Sequence, residues 1–297
     1  MSTSTSKSAK PSKKGRQTWL WLKVGFVVLA ALAAWLMVSR NARGSGALGQ
    51  VSGDLHALQF APGERILYGQ HDGLQISTDN GGSWTPPSGT GDAMAIASSP
   101  SAPEVIYQAG HDLFLKSTDG GETWTEPGFG NLPGTDIHGF AVAPDTGMLY
   151  ANIAGQGLYR STTGDNTWEF VSSATAGAMT IAVGPGTPPV LYAATMDQGV
   201  IRSDDGGLSG QAWQQMAMVP GMSMSGIYVH PKSGNVYATG QEGVYKSLDK
   251  GETWTVTGPD EPMALIAAEA EDEMQLVAVA QQGQVYRSSD GGQTWAN

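Results

Sequence analysis

Cysteine is absent from this chain of 297 residues, and its absence removes several kinds of chemistry. Disulfide bonds, thiolate metal sites and lipid attachment through a cysteine are all excluded. A domain without thiols also escapes incorrect disulfide pairing in an oxidising compartment. The sequence is therefore compatible with export and offers no sulfur ligand other than methionine.

Basic residues are scarce after residue 43. The first 43 residues contain eight Lys or Arg and no acidic residue, whereas the remaining chain holds 27 acidic and only eight basic residues. A domain this acidic repels nucleic acid and anionic lipid headgroups. We therefore expect no nucleic-acid partner. The negative charge favours solubility, and attraction of cations or basic partners is the alternative interpretation.

Long apolar runs are also absent, with one exception at residues 19–38. Twenty residues rising about 1.5 Å each just span the hydrocarbon core of a bilayer. Tryptophans near both ends of the run suit the membrane interface. Six Lys or Arg precede the run or lie at its start and two follow it, so the tail is expected to be cytoplasmic. A cleaved signal peptide is the alternative.

This organisation predicts a single-pass protein of the cell membrane whose main domain is extracellular or periplasmic. The expected segments are a disordered basic tail at 1–18, a transmembrane signal anchor at 19–38, a flexible linker at 39–50 and a folded domain at 51–297.

The folded part repeats a short box, Ser-x-Asp-x-Gly-x-x-Trp. Complete copies begin at Ser77, Ser117, Ser247 and Ser288. The copy at 161–168 has lost its Asp and Gly, and the copy that begins at Ser203 has three extra residues before its Trp. Successive copies lie 40 to 44 residues apart. A period of about 40–45 residues with several short strands per unit is typical of a β-propeller blade.

Each unit has the same order of strand signals. A first apolar strand ends in Pro, a second often ends in Tyr, a third runs into the box, and a fourth starts at the Trp. Six units therefore predict an all-β, six-bladed propeller of four-stranded antiparallel blades. The last box ends two residues before the end of the sequence, so we expect residues 47–52 to supply the missing outer strand and close a monomeric ring.

The box is expected to be structural. Its Asp can accept backbone N–H groups across a tight turn, its Gly allows a positive φ, and its Trp buries a large face between strands. These residues are the structural set: Asp79, Trp84, Asp119, Trp124, Asp205, Trp213, Asp249, Trp254, Asp290 and Trp295.

The boxes resemble the Asp-box (BNR) repeats of sialidase-like propellers. The segments at 71–74 and 136–140 look most similar to bacterial membrane or exported propellers described as glycosyl-hydrolase-like. This resemblance implies a hydrolase, a binding module or an assembly module, because the fold serves all three. Sialidases use an arginine triad, and three of the four arginines in this domain directly precede a box Ser, which argues against a typical sialidase.

Four of the five histidines are expected at the end of the blades opposite the boxes. His56 and His138 start first strands, while His71 and His111 lie in turns between second and third strands. Each has an acidic neighbour, namely Asp54, Asp72, Asp136 and Asp112 respectively for His56, His71, His138 and His111. These eight residues are the candidate ligand-binding face.

Imidazoles beside carboxylates predict a divalent metal site or a general acid–base pair. Three methionines, Met94, Met222 and Met224, could add thioether ligands and favour copper. Packing and turn formation are the alternative roles.

The sequence thus favours a membrane-anchored extracytoplasmic module that binds a carbohydrate or protein ligand. The alternatives are a glycoside hydrolase, with paired carboxylates drawn from the same face, and an assembly or scaffold factor for an envelope or membrane complex.

Overall fold

The computed structural model describes residues 48–297 except 90, 165, 209–212 and 224. The predicted tail, anchor and most of the linker lie outside the described residues, so they stay predictions. Within the described part of the chain, no helix is long and apolar enough to cross a membrane.

Six antiparallel sheets, consecutive in the chain, form the described domain. The first contains β1 (Ala57–Ala61), β2 (Arg65–Gln70) and β3 (Gly73–Ser77). The second contains β4 (Ala95–Ser99), β5 (Ala102–Gly110) and β6 (Leu113–Ser117). The third contains β7 (Ile137–Val142), β8 (Leu149–Ile153), β9 (Gly157–Ser161) and β10 (Glu169–Ser172).

The other three sheets follow the same order. The fourth contains β11 (Ala178–Val183), β12 (Leu191–Thr195), β13 (Gly199–Ser203) and β14 (Gln214–Gln215). The fifth contains β15 (Ile227–Val229), β16 (Val236–Gly240), β17 (Gly243–Ser247) and β18 (Thr255–Gly258). The sixth contains β19 (Met263–Ala268), β20 (Leu276–Ala280) and β21 (Val285–Ser288).

The predicted fourth strand is reduced to a single bridge in the first, second and sixth sheets. The bridges are Leu74 with Ser88, Lys116 with Thr125, and Arg287 with Ala296. In the first two sheets, prolines at 86, 87 and 127 follow the box Trp closely. Proline has no N–H to donate to a strand ladder, so these outer strands cannot extend.

The first strands of the sheets pack against one another in succession. Strands β1, β4, β7, β11, β15 and β19 contact in that order, and β19 also contacts β1. They surround a cavity of about 370 Å³. Antiparallel sheets arranged around such an axis form a β-propeller.

Apolar clusters lie between successive sheets, including between the sixth and the first. Each of these six clusters contains one Trp from a box or a degenerate box. In order from the interface between the sixth and first sheets, they are Trp84, Trp124, Trp168, Trp213, Trp254 and Trp295. The repeated Trp therefore joins neighbouring sheets.

Residues near the start of the described chain complete the sixth sheet. The Val51 N–H donates to the Gly283 carbonyl at 2.9 Å, and Gln50 forms an antiparallel bridge with Gln284. The Gly49 N–H donates to the Gly81 carbonyl of the first box at 2.8 Å. Residues 49 and 50, which the sequence placed in the linker, thus belong to the folded unit and tie its two ends together.

Each complete box is a turn held by its Asp. In the second box, Asp119 Oδ1 accepts the Ser117 hydroxyl at 2.7 Å and the Thr123 N–H at 2.9 Å. The Ser117 oxygen in turn accepts the Gly121 N–H at 2.8 Å. The same contacts recur around Asp79, Asp249 and Asp290.

These hydrogen bonds stabilise the ionised carboxylates. The hydroxyl and N–H of Thr253 lower the pKa of Asp249 to about 2. For Asp290, burial acts to raise the pKa, but the hydroxyl and N–H of Thr294 lower it to about 2. Asp205 in the extended box accepts the Ser203 hydroxyl at 2.6 Å. In the degenerate box, Ser161 donates to the Gly164 carbonyl instead.

Candidate metal centre

Four histidines meet at the end of the first three sheets that lies opposite the box turns. His56 Nε2 lies 2.7 Å from His71 Nδ1, and the two rings stack with centroids 4.8 Å apart. His111 Nε2 lies 3.2 Å from His138 Nε2. The antiparallel strand order explains why the four histidines lie together. In each sheet, the start of the first strand and the turn between the second and third strands lie at the same end.

Two of the predicted carboxylates join these pairs. Asp54 Oδ2 lies 3.5 Å from His71 Nδ1. Asp136 Oδ1 lies 3.2 Å from both His111 Nε2 and His138 Nε2. Each His pair with its Asp forms a group whose nitrogen and oxygen donors all lie within 4.8 Å of one another.

A third carboxylate, Asp92, lies between the two pairs. Its Oδ1 is 3.3 Å from both His56 Nε2 and His71 Nδ1, and its Oδ2 is 2.9 Å from His111 Nδ1. The side chain is only 9 % exposed, and neither oxygen accepts a well-formed hydrogen bond from the described residues. A buried carboxylate without such bonds is costly unless a cation compensates its charge.

The His pattern of the sequence does not predict Asp92, although the repeat contains a signal for it. Asp54 and Asp136 each lie two residues before a first-strand His, and Asp92 lies two residues before Met94, which occupies the equivalent place in the second unit. Three successive units thus contribute the same carboxylate. In the second unit, Met94 replaces the His that marks the carboxylate in the first and third units.

Two glycines allow the backbone around Asp92 to pass between the first and second sheets. A Cβ on Gly110 would lie 1.6 Å from the Asp92 carbonyl oxygen, and a Cβ on Gly69 would lie 2.5 Å from the Ala93 carbonyl oxygen. The Ala93 N–H donates to the Gln70 carbonyl at 3.0 Å. Close packing against β2 and β5 therefore fixes Asp92 beside the two turns that hold His71 and His111.

The remaining predicted site residues lie elsewhere. Asp72 is exposed, and the Asp112 carboxylate accepts a hydrogen bond from the Thr135 hydroxyl. Met94 is buried and lines the central cavity, whereas Met222 packs against the core of the fourth and fifth sheets. Met222 is thus placed as a packing residue. Met224 lies outside the described residues.

The geometry and charge of the cluster suit a metal ion. Donors bound tetrahedrally at about 2.0–2.2 Å lie about 3.3–3.5 Å apart, close to most of the separations given above. Burial lowers the pKa of the His56 imidazole, although the Asp92 carboxylate acts in the opposite direction. A neutral imidazole keeps a ring nitrogen free for a metal.

The cluster is open to solvent on one side. The side chains of Asp54 and Asp136 are 68 % and 50 % exposed, and those of His71 and His111 are 55 % and 46 % exposed. Asp92 forms the buried floor. An ion bound here would be reachable from outside and could keep coordination positions for an external ligand.

Three arginines and the fifth histidine of the described chain have structural contacts. Arg65 and Arg202 donate to carbonyls of the following box, at Gly120 and Lys250, while Arg160 pairs with Glu169. Arg65 and Arg202 thus brace box turns, Arg160 pairs across β9 and β10, and the three form no common anion site. The buried fifth histidine, His230, accepts the Ser233 N–H at 3.1 Å.

Comparison with known proteins supports the fold. No family model matches the chain, and no curated protein does. Among solved structures, the GH74 xyloglucanase from Xanthomonas campestris is similar, with a TM-score of 0.55 and 17% identity over 84% of this chain. The match covers 46% of that enzyme, so this chain spans less than half of its length.

Two further structures extend the comparison. YCF48 bound to D1 peptide has a TM-score of 0.53 and 15% identity, covering 84% of this chain and 83% of that one. A protein described as a putative gluconolactonase has a TM-score of 0.60 and 12% identity, covering 81% and 90%. Identities this low show a shared β-propeller fold, and the chemistry must be argued from the site itself.

Proposed function

We propose that this protein is a membrane-anchored, extracytoplasmic, six-bladed β-propeller of the Asp-box type that binds a divalent metal ion and presents it to an external ligand or partner. The observation that carries the proposal is the meeting of two His pairs around the buried carboxylate of Asp92. Imidazole and carboxylate donors suit zinc and related divalent ions.

The metal-binding proposal is tested with full-length protein purified in detergent, stripped of metal and freed of any affinity tag. Isothermal titration with Zn²⁺ should show binding, and His71→Ala and His138→Ala should each weaken it by at least about 10-fold because each removes a ligand. Asp72→Ala is the matched control, since Asp72 is exposed and lies outside the cluster.

Two results would count against metal binding. The wild-type protein could fail to bind Zn²⁺, or both His variants could bind as tightly as the wild type. Either result would indicate that the four histidines serve packing and turn formation. Partner recognition without a metal would then be the better account of the function.

The absence of cysteine makes the proposed topology easy to test. Ser173→Cys places a single thiol on an exposed residue of the propeller, and Ser4→Cys places one in the tail. In intact spheroplasts, a membrane-impermeant maleimide should label the first and not the second, as the charge asymmetry around residues 19–38 requires. Labelling of Ser4→Cys alone would show that the tail, and not the propeller, lies outside the membrane.

Glycoside hydrolysis is the second candidate, favoured by the similarity to GH74 enzymes. It requires two carboxylates on either side of a glycosidic bond, and Asp54 and Asp136 are the exposed carboxylates of the cluster. Release of reducing sugar from xyloglucan by the full-length protein, abolished in Asp136→Asn, would support this candidate. Equal rates with and without protein would remove xyloglucan as a substrate.

An assembly role is the third candidate, since YCF48 was solved bound to a peptide. The open face with its His and Asp side chains would then be the docking surface. In that case a partner should bind the wild type and Asp72→Ala equally, and bind His71→Ala more weakly.

A further inference from the structure

We propose that this face binds two divalent metal ions and that Asp92 links them. The inference rests on the metal-binding function proposed above. The first ion would be held by His56, His71, Asp54 and Asp92 Oδ1, and the second by His111, His138 and Asp136.

The number of donors is the first argument. Four imidazoles and three carboxylates meet here, whereas zinc in proteins takes four ligands. Six of these donors also divide into two groups. One group is His56, His71 and Asp54, and the other is His111, His138 and Asp136. One ion cannot use all of them, and two ions use each donor once.

The position of Asp92 is the second argument. Its two oxygens point to different pairs, with Oδ1 3.3 Å from His56 Nε2 and His71 Nδ1, and Oδ2 2.9 Å from His111 Nδ1. Both Oδ1–nitrogen separations of 3.3 Å match those expected of ligands on one ion, and the two nitrogens lie closer, 2.7 Å apart. Asp92 Oδ1 is therefore a ligand of the first ion.

The two nitrogens of His111 decide the second role of Asp92. Nε2 faces His138 Nε2 and Asp136 Oδ1, each at 3.2 Å, and is the nitrogen that would bind the second ion. Nδ1 lies 2.9 Å from Asp92 Oδ2, so its N–H would reach that carboxylate once the second ion fixes the orientation of the ring. A carboxylate that holds the distal N–H of a metal-bound His fixes its tautomer and orientation.

One buried side chain thus acts on both ions, as a ligand of one and as a positioning residue for the other. A bound cation would also balance the buried charge of Asp92, whose oxygens accept no well-formed hydrogen bond from the described residues. Exposed Asp54 and Asp136 supply the donors on the solvent side, and the second ion, with three protein ligands, keeps a position for an external ligand.

Zinc content per chain tests the inference. Full-length protein would be loaded with Zn²⁺, desalted and measured by elemental analysis. We expect two zinc ions in the wild type and in Asp72→Ala, and one ion in each of His56→Ala and His138→Ala. Asp92→Asn should weaken both binding steps by about 10- to 100-fold, since it changes a ligand of one ion and the partner of a His on the other.

Asp54→Asn and Asp136→Asn provide a second pair of variants that changes only exposed groups, so folding should be retained and each should weaken one step. Circular dichroism melting checks folding in every variant. One zinc per wild-type chain would overturn the two-ion arrangement and leave simple metal binding intact. No zinc in the wild type would reject metal binding altogether. Loss of both ions in a folded His56→Ala or His138→Ala would also overturn the assignment of separate ligand sets.

Discussion

At the scale of single residues, the box turns depend on a serine hydroxyl that both donates and accepts. Ser117 is 1 % exposed, donates to Asp119 and accepts the Gly121 N–H. The sequence pattern predicted a turn role for the Asp and Gly. It did not predict the second hydroxyl of the box, from Thr123, which bonds Asp119 Oδ2 at 2.5 Å.

Ser117→Ala should therefore lower the free energy of unfolding by about 1–3 kcal/mol, because the buried Gly121 N–H loses its acceptor. Chemical denaturation would measure the change. Ser173→Ala, at an exposed position, is the matched control and should stay within about 0.5 kcal/mol of the wild type. An equal effect of the two substitutions would show that the hydroxyl does not hold the turn.

The candidate site was only partly predictable at this scale. Strand order predicted that His56, His71, His111 and His138 share one end of the sheets, and the structure brings them together. Asp72 and Asp112 are neighbours of His in the sequence, but Asp72 is exposed and the Asp112 carboxylate bonds the Thr135 hydroxyl. Asp92 comes close through the packing of one sheet on the next, which adjacency in sequence cannot reveal.

At the scale of elements, the segment that leads into β4 passes between β2 and β5. Its place depends on Gly110, where a Cβ would overlap the Asp92 carbonyl oxygen at 1.6 Å. The outer strands, by contrast, differ in length from sheet to sheet. Prolines shorten them in the first and second sheets, and the predicted four-stranded unit is complete in the third, fourth and fifth sheets.

Gly110→Ala should displace Asp92 and weaken Zn²⁺ binding by at least about 10-fold, with a loss of stability of about 1–3 kcal/mol from overpacking. Titration and melting would measure the two effects. Gly177→Ala is the control, because a Cβ there meets nothing within 4 Å. Unchanged Zn²⁺ affinity in Gly110→Ala would show that the backbone of this segment does not position the site.

At the scale of the whole molecule, the ring is closed by residues distant in sequence. Val51 is 3 % exposed and packs in the cluster between the sixth and first sheets, where its N–H also bonds Gly283. The even spacing of the boxes predicted this architecture. Spacing carries no information about the candidate site, whose side chains come from three of the six described units.

Val51→Ala should therefore reduce the free energy of unfolding by about 2 kcal/mol, from the lost burial and the cavity left at the closing interface. Val256→Ala, on an outer strand and 44 % exposed, should cost much less. A similar small loss in both variants would indicate that closure contributes little to stability.

The central claim is that the His and Asp side chains of the first three units form a metal centre. The most direct measurement is an anomalous difference map at the zinc absorption edge, from crystals of the zinc-loaded protein. Two peaks should lie on either side of Asp92, one beside His56 and His71 and the other beside His111 and His138. A map with no peak at these side chains would contradict it.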